Sequence, residues 1–344
     1  MENINDYAAK IAQEIDRFKE VNNVHDLPEI FHYWSNKHLL PMFQEFGIST
    51  MEQFFAQYLY EAGCATGEFC PRFISIGSGN CDLEIQVAKA VKKLGLKHFL
   101  LECLELNPHM LARGREMAAA EGMSNYMIFT EADFNNWSPK IIYAGAMANQ
   151  SLHHVTNLES LFLAVKGSLH WAGKFVVADI IGRNGHQRWP EALAVLHDFW
   201  REMPDNYRYN QVLKRHEPLY ENWDCSGEGF EGIRAQDILP LLLRRFDFEM
   251  FLGFANVVVP LIDRCFGHNF DAKSEWDRSF IDRVHAADEE GFRTGLLKPT
   301  QMVAVMTPGP ASSRRYSRGI SPELALRSTD DQRIRIPPTS NPAL

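Results

Sequence analysis

At 344 residues, with 45% hydrophobic and 23% charged side chains, the chain has the size of one large or two modest soluble domains. The formal net charge of −9 argues against a surface built to bind nucleic acid, and no apolar run is long enough to span a membrane. The six cysteines are scattered without a spacing suited to zinc, so no metal site is expected. The start of the sequence lacks the pattern of a secretory signal, and we expect a cytoplasmic protein.

Residues 1–70 are predicted to be helical. Apolar residues recur at helical spacing at Ile4, Ala8, Ile11, Ile15 and Phe18. A second helix is predicted from Asp26-Leu27-Pro28 to a stop before Pro41, and a third begins with the capping box Ser49-x-x-Glu52. This N-terminal helical cap is rich in aromatic residues. Two interpretations stay open: a layer packed on the core, or a lid over a ligand pocket.

From residue 72 onward, short apolar strands alternate with helical stretches. The predicted strands are Arg72–Gly77, His98–Leu104, Tyr126–Thr130, Ile141–Ala148 and Lys174–Ile181. This alternation predicts an α/β fold with a doubly wound, mostly parallel sheet. Ligands of such sheets bind beyond the carboxyl ends of the strands, so the residues that follow each strand are the candidate site residues.

Polar or glycine-rich segments follow four successive strands. They are Ile76-Gly77-Ser78-Gly79, Glu105-Leu106-Asn107-Pro108, Glu131-Ala132-Asp133-Phe134 and Asn149-Gln150-Ser151-Leu152-His153-His154. The first can bring backbone N–H groups close to a nucleotide-like ligand. A carboxylate at position 105 can accept both hydroxyls of a ribose, with Glu102 as its competitor one alternation earlier.

These four segments resemble the motifs of class I, Rossmann-like S-adenosylmethionine-dependent methyltransferases. The resemblance implies S-adenosyl-L-methionine as cofactor and a seven-stranded sheet whose last strand is inserted antiparallel beside the fifth. Residues 246–254 and 301–306 fit the sixth and seventh strands. The implied cofactor-binding residues are Gly77, Ser78, Gly79, Glu105, Leu106, Asp133, Phe134, Asn149 and Gln150.

The glycine turn departs from the family pattern at two positions. Ser75 stands where an acidic residue is usual, and Cys81 stands where a third glycine is usual, which predicts a slightly wider turn. Gly77 and Glu105 are 28 residues apart, whereas dinucleotide-binding folds place the acidic residue about 20 residues on. This spacing argues against a nicotinamide dehydrogenase.

Two long segments are predicted to build the substrate pocket within a methyltransferase domain of residues 71–307. They are helical insertions at about 182–245, after the fifth strand, and 260–299, after the sixth. Arg183, Trp189, Tyr207 and Tyr209 are the candidate substrate-binding residues, although Trp189 and Trp200 also suit simple core packing. Residues 308–344 are rich in proline and are expected to form a disordered tail.

The resemblance predicts methyl transfer to a small-molecule acceptor, with O-, N- and C-methylation unresolved. Histidine suits proton transfer near neutral pH, and the candidate catalytic residues are His153, His154, His186 and His216. The alternative is a cofactor-binding regulatory or assembly protein without transfer activity. As partners we expect a small-molecule substrate, no nucleic acid and no membrane, with a homodimer left open.

Overall fold

The computed structural model describes residues 7, 11, 12, 15, 16, 27–227 and 229–327. The described residues form ten strands: β1 Arg72–Ile76, β2 Leu100–Glu105, β3 Met127–Glu131, β4 Tyr143–Asn149, β5 Leu169–Ile180, β6 Tyr209–Asn210, β7 Arg215–His216, β8 Asp247–Phe254, β9 Gln301–Thr307 and β10 Arg315–Tyr316. From residue 29 onward the α-helices are α1 Glu29–Trp34, α2 Leu40–Gln44, α3 Met51–Thr66, α4 Asp82–Leu94, α5 Pro108–Ala120, α6 Leu158–Ser168, α7 Pro190–Glu202, α8 Ala235–Arg245, α9 Val259–Ile262 and α10 Glu275–Thr294.

Eight strands form one mixed sheet in the order β10-β8-β9-β5-β4-β1-β2-β3. β1 pairs in parallel with β2 and β4, and β9 runs antiparallel between β5 and β8. The α/β class, the mostly parallel sheet and the inserted last strand are confirmed. The predicted count of seven strands was one too few, because the two-residue strand β10 pairs with the edge of β8.

Strand β1 shows why the sheet is covered on both faces. Phe73 packs into one apolar core, and Ile74 and Ile76 pack into a second, because successive side chains of a strand point to opposite faces. Helices α3, α4 and α5 contribute to the first core, and α6 and α8 contribute to the second. The sheet therefore lies between two helical layers, and the strand ends are left as the accessible edge.

The N-terminal cap differs from the prediction at two helix boundaries. The helix expected to stop before Pro41 continues through a π-helical turn at Ser35–Leu39 into α2, and the proline stands where the hydrogen-bond pattern changes from π to α. The capping box is shifted by one residue: Thr50 Oγ1 accepts the N–H of Gln53, whose side chain accepts the N–H of Ser49. Ile4, Ala8 and Phe18 of the predicted first helix lie outside the described residues, whereas residues 11 and 15 are helical.

The predicted cap is divided between two places in the fold. Phe54 and Leu59 of α3 are buried in the core beneath the sheet, so α3 is a sheet layer. α1 instead packs on the insertions, with Trp34 in the same apolar cluster as Trp200 of α7 and Phe280 of α10. Trp200 is fully buried and donates its indole N–H to the Glu217 carbonyl, which agrees with the core interpretation for this residue.

The C-terminal segment is ordered further along the chain than the predicted tail, which was expected to begin at residue 308. Residues 308–327 continue along the sheet edge through β10, and Arg327 forms an ion pair with Glu191 of α7. Arg327 also makes a cation–π contact with the ring of Trp189, and Arg183 makes a second cation–π contact with the same ring. These arginine contacts hold the segment on the domain, and residues 328–344 lie outside the description. Among the described residues, no helix is both long and apolar enough to cross a membrane.

Candidate active site

The glycine turn lies where the strand order reverses. β1 is flanked by β2 on one side and β4 on the other, so the connections leave the sheet in opposite directions at this point. The N–H groups of Gly77 and Ser78 donate to the Leu104 carbonyl, and the Gly79 N–H donates to Glu105 Oε2 at 2.9 Å. The turn is therefore fastened to the end of β2 and opens toward the crevice between β1 and β4.

Gly77 is required by a close approach of the chain after β4. Its φ is +69°, and an added Cβ would lie 2.6 Å from Cβ of Ser151. Ser151 Oγ donates to the Ile76 carbonyl at 2.6 Å. A side chain at position 77 would thus push apart the first and fourth of the predicted cofactor motifs.

Cys81 adopts the backbone conformation of the glycine that it replaces. Its φ is 63°, in the left-handed region that favours glycine. Gly114 of α5 makes room for the thiol, because a Cβ there would lie 2.8 Å from Cys81 Sγ. The glycine missing from the turn is compensated by a glycine on the facing helix.

Glu105 and its competitor Glu102 have separate roles. Glu105 is buried at the end of β2, where Oε2 binds the turn and Oε1 accepts the Asn107 N–H at 3.0 Å. Burial raises the pKa of Glu105, and the backbone hydrogen bonds oppose this shift. Glu102 accepts the hydroxyls of Thr130 and Tyr143 at 2.7 and 2.8 Å, inside the sheet layers. Glu105 is the carboxylate beside the glycine turn.

Ser75, the other departure from the family pattern, is paired with a carboxyl from the next helix. Its hydroxyl donates to Glu84 Oε1 at 2.7 Å, and both side chains are almost fully buried. Burial raises the pKa of Glu84 to about 7, although the hydrogen bond from Ser75 opposes the shift. The acidic group absent from position 75 is therefore supplied by α4, on the side of β1 that faces the first core.

This buried carboxyl should make stability depend on pH. Because the pKa of Glu84 is higher in the folded than in the unfolded chain, its contribution is present below about pH 4.5 and is lost as pH rises through about 7. Relative to wild type, Glu84→Gln should gain on the order of 3 kcal/mol in free energy of unfolding between pH 5 and pH 8.5. Urea titrations at both pH values measure this gain.

Ser75→Ala is the matched variant, because it removes the hydrogen bond that holds this pKa down. It should increase the loss of stability with pH, in the opposite direction to Glu84→Gln. Parallel pH profiles for wild type and Glu84→Gln would contradict the assignment.

Asp133 is held by Tyr7. The Tyr7 hydroxyl lies 3.0 Å from both carboxylate oxygens of Asp133 and accepts the side-chain N–H of Asn135 at 2.7 Å. The Ile15 carbonyl accepts the side-chain N–H of Asn107, beside Glu105. Tyr7 and Ile15 thus contact residues that follow β3 and β2, on the predicted nucleotide side of the site.

The remaining predicted cofactor residues line the same edge. Phe134 is buried and packs with Leu106 in the second core. Asn149 ends β4, and Gln150 follows it with a φ of 51° and its N–H on the Ala178 carbonyl. The structure therefore places all four motifs at the carboxyl ends of β1 to β4.

Beyond β4 lies a histidine–carboxylate cluster, formed by His153, His154, Asp179, His186 and Glu231. His153 Nδ1 lies 2.6 Å from Asp179 Oδ1, and His153 Nε2 lies 3.4 Å from Glu231 Oε1. His186 Nε2 lies 2.6 Å from the same Glu231 oxygen, and His154 Nε2 lies 3.7 Å from Glu231 Oε2. Three of the four predicted catalytic histidines are thus brought together.

The cluster places its histidines in different electrostatic environments. Burial lowers the pKa of His153, but the carboxylates of Asp179 and Glu231 raise it to about 10. Burial and the charge of His153 lower the pKa of His154 to about 4. Burial favours the neutral form of Glu231, but hydrogen bonds from His153 and His186 hold the pKa of this carboxyl well below its usual range.

The other predicted residues are not joined to this cluster by the observed contacts. His216 lies in β7, where its Nε2 contacts Asp205. Tyr207 donates its hydroxyl to Asp277 at 2.9 Å, and Tyr209 lies in β6, paired with His216. Arg183 and Trp189 lie in the segment that joins β5 to α7, where the guanidinium of Arg183 packs on the Trp189 ring.

Sequence reasoning missed Asp179 and Glu231. Asp179 is fully buried at the end of β5, where it accepts the N–H groups of Ser151 and Leu152. A charged residue closing an apolar strand was a usable signal, since the four earlier strand ends were found in that way. Glu231 lies in a segment without periodicity, and no local signal marks it.

A cavity of about 370 Å³ lies elsewhere, between α3 and β8. It is lined by Phe46, Gly47, Gln57, Tyr58, Glu61, Glu249, Met250, Ser313 and Arg315. None of these residues belongs to the four motifs or to the histidine–carboxylate cluster, so this cavity is separate from the candidate active site.

Comparison with known proteins gives structural neighbours only. No protein-family model and no curated protein matches the chain. A geranyl diphosphate C-methyltransferase from Streptomyces coelicolor A3(2), crystallised with Mg²⁺, geranyl diphosphate and S-adenosyl-L-homocysteine, is similar at 9% identity and TM-score 0.47, over 87% of this chain and 98% of that one. An O-methyltransferase of a Brevibacillus brevis trans-AT polyketide synthase, crystallised with S-adenosyl-L-homocysteine, is similar at 12% identity and TM-score 0.44, over 89% and 94%. The [4+2]-cyclase SpnF is similar at 13% identity and TM-score 0.41, over 75% and 81%.

All three TM-scores lie below 0.5. The fold is therefore described from the order of the strands in the sheet. β9 is inserted antiparallel beside β5, and the glycine turn stands at the reversal between β1 and β4. This strand order agrees with the class I methyltransferase fold that the sequence resemblance implies. β10 and the hairpin β6–β7 are additional to the seven strands that we expected.

Proposed function

We propose that this protein transfers a methyl group from S-adenosyl-L-methionine to a small-molecule acceptor. The observation that carries the proposal is the hydrogen bond from the Gly79 N–H to Glu105 Oε2, which lies at the end of β1, where the strand order reverses. This arrangement offers backbone geometry for close approach and a carboxylate for the ribose hydroxyls.

The nucleotide side of the site fits the cofactor. Each oxygen of Glu105 accepts one backbone N–H, at 2.9 and 3.0 Å, and keeps a second lone pair for a hydroxyl. Gly79 has a φ of +54°, and a Cβ there would meet no protein atom closer than Met110 Cε at 3.7 Å. We assign Asp133 and Phe134 to the adenine and Glu105 to the ribose.

Tyr7 should compete with the adenine amine for Asp133. The carboxylate already receives contacts from Tyr7, from Asn135 and from Asn136, which fill its acceptor sites. Tyr7→Phe should therefore strengthen cofactor binding by about 2- to 10-fold, the value of one net hydrogen bond. Isothermal titration calorimetry measures this change, and weaker binding by the variant would contradict the competition.

The histidine–carboxylate cluster adjoins the other end of the site. Ser151 contacts the glycine turn, and His153 follows it by two residues. When bound, the cofactor supplies an electrophilic methyl carbon. The task of the chain is to hold the acceptor atom about 3–3.5 Å from that carbon and to exclude water. We assign acceptor binding to the cluster rather than to His216.

Transfer is tested by incubating the purified protein with a cell extract and isotopically labelled S-adenosyl-L-methionine. Mass spectrometry should find a labelled metabolite that is absent when the protein is omitted. Cofactor binding without labelled product across extracts and a broad metabolite panel would favour a regulatory or assembly protein. Failure to bind the cofactor at all would overturn both functions.

A further inference from the structure

Three donor atoms of the histidine–carboxylate cluster converge from separate parts of the chain. His153, His186 and Glu231 each offer one such atom, and the three lie within 4.8 Å of one another. Nε2 of both histidines contacts Glu231 Oε1. His153 follows β4, His186 follows β5, and Glu231 precedes α8. The sequence predicted no metal site because no local spacing joins these donors.

We propose that His153, His186 and Glu231 bind a divalent transition-metal ion, with Zn²⁺ as the best-matched ion. Two imidazoles and one carboxylate are a ligand set of catalytic zinc sites, which leave a further position open. Imidazole nitrogen also favours such ions over Mg²⁺ or Ca²⁺. The site thus combines the donor chemistry of a zinc centre with room for a fourth ligand.

Two of the three donor separations are close to those of a tetrahedral zinc site, and all three donors lie within 4.8 Å of one another. Metal–ligand bonds of about 2.0–2.1 Å in a tetrahedron place the donor atoms roughly 3.3 Å apart. His153 Nε2 and Glu231 Oε1 are already 3.4 Å apart. His186 Nε2 lies 2.6 Å from the same oxygen, which is a hydrogen bond, and this pair must open by roughly 0.7 Å when the ion replaces the shared proton.

A second set of contacts fixes the orientation of the donors. Asp179 binds His153 Nδ1, which leaves Nε2 directed toward Glu231, as in carboxylate–histidine–metal arrangements. The Ile233 N–H donates to the His153 carbonyl at 3.1 Å. The Gly185 N–H donates to the Gly232 carbonyl at 2.9 Å. These backbone bonds join all three ligand-bearing segments beside the ligands themselves.

The cluster is buried on one side and reachable on the other. The His153 side chain is 5% exposed, whereas those of His186 and Glu231 are 27% and 26% exposed. An ion can therefore enter past His186 and Glu231 and bind against the fixed ring of His153.

The role of the ion rests on the proposed function, although its binding does not. At the open position it would take an acceptor hydroxyl, such as an alcohol, an enol or a hydroxy acid, and lower the pKa of that hydroxyl. The hydroxyl proton leaves to solvent, the oxygen–methyl bond forms as the sulfur–methyl bond breaks, and the sulfonium becomes a neutral thioether. The proposal thus narrows the acceptor to a metal-coordinating oxygen nucleophile.

The experiment uses the full chain after dialysis against a chelator. Inductively coupled plasma mass spectrometry and calorimetry with zinc sulfate should find one equivalent of Zn²⁺ per chain, and Mg²⁺ in excess should not displace it. Co²⁺ in place of Zn²⁺ should give the visible absorption of a four-coordinate centre. His186→Ala and Glu231→Gln should each weaken Zn²⁺ binding at least about 100-fold.

His268→Ala is the matched control, since His268 is exposed and outside the cluster, and it should bind Zn²⁺ as wild type does. Circular dichroism establishes that each variant is folded. Absence of stoichiometric binding by wild type, or equal affinity in folded His186→Ala and Glu231→Gln, would overturn the metal site. Cofactor affinity is measured separately on metal-free protein. A protein that binds the cofactor but fails to bind zinc overturns only the metal site. A protein that binds zinc but not the cofactor overturns only the proposed function and the role of the ion.

Discussion

Glu105→Ala is expected to weaken S-adenosyl-L-methionine binding by about 100-fold or more. Its carboxylate is the one that contacts the glycine turn, and each hydrogen bond from a ribose hydroxyl to a charged oxygen contributes about 1.5–3 kcal/mol. Calorimetry on the folded variant measures the loss. Since Ala also removes the acceptor of the Gly79 N–H, Glu105→Gln serves as a second variant, which keeps one acceptor oxygen and should lose about 10-fold.

Glu102→Gln is the matched control for Glu105. Glu102 lies three residues earlier on the same strand, but its oxygens are bound to Thr130 and Tyr143. Its replacement should change cofactor affinity by less than about 3-fold. Equal losses at the two positions, or unchanged affinity in Glu105→Ala, would remove Glu105 from the cofactor site.

Asp179→Ala should lower the free energy of unfolding by about 3–5 kcal/mol. The carboxylate is fully buried and accepts the N–H groups of Ser151 and Leu152 as well as the His153 ring. Its removal takes one carboxylate from the buried His153 ring and leaves two backbone N–H groups without this acceptor. Breaking a buried ion pair typically costs about 3–5 kcal/mol. Urea unfolding measures the loss.

The control for Asp179 is Asp205→Ala, which removes a carboxylate from His216 in an exposed pair. Exposed ion pairs contribute about 0–1 kcal/mol, so this variant should stay close to wild type. A cost below 1 kcal/mol for Asp179→Ala would mean that the loop after β4 is held by other contacts.

Local sequence patterns were enough to place most strands of the large sheet and the four motifs that follow them. β1, β2, β3 and β9 begin and end within about two residues of their predicted bounds, because buried strands are short apolar runs closed by glycine or polar residues. These features depend on residues that are neighbours in the chain.

Predictions failed where a distant partner decides the outcome. Residues 308–327 look like a tail in isolation, but Arg318 and Arg327 find Glu289 and Glu191 far away in sequence. Cys81 takes a glycine conformation because Gly114, on another helix, leaves space for its thiol.

The sequence by itself determined the α/β class and the order of the motifs, since each depends on a strand and the turn that follows it. Only the tertiary structure decided which histidines act together. His153, His186 and Glu231 lie on three segments that share no periodicity, and the sheet brings their donor atoms within 4.8 Å. His216 has the same chemistry but a different place, because the β6–β7 hairpin carries it to Asp205. Spacing along a chain predicts local geometry, whereas convergence of distant side chains follows only from packing.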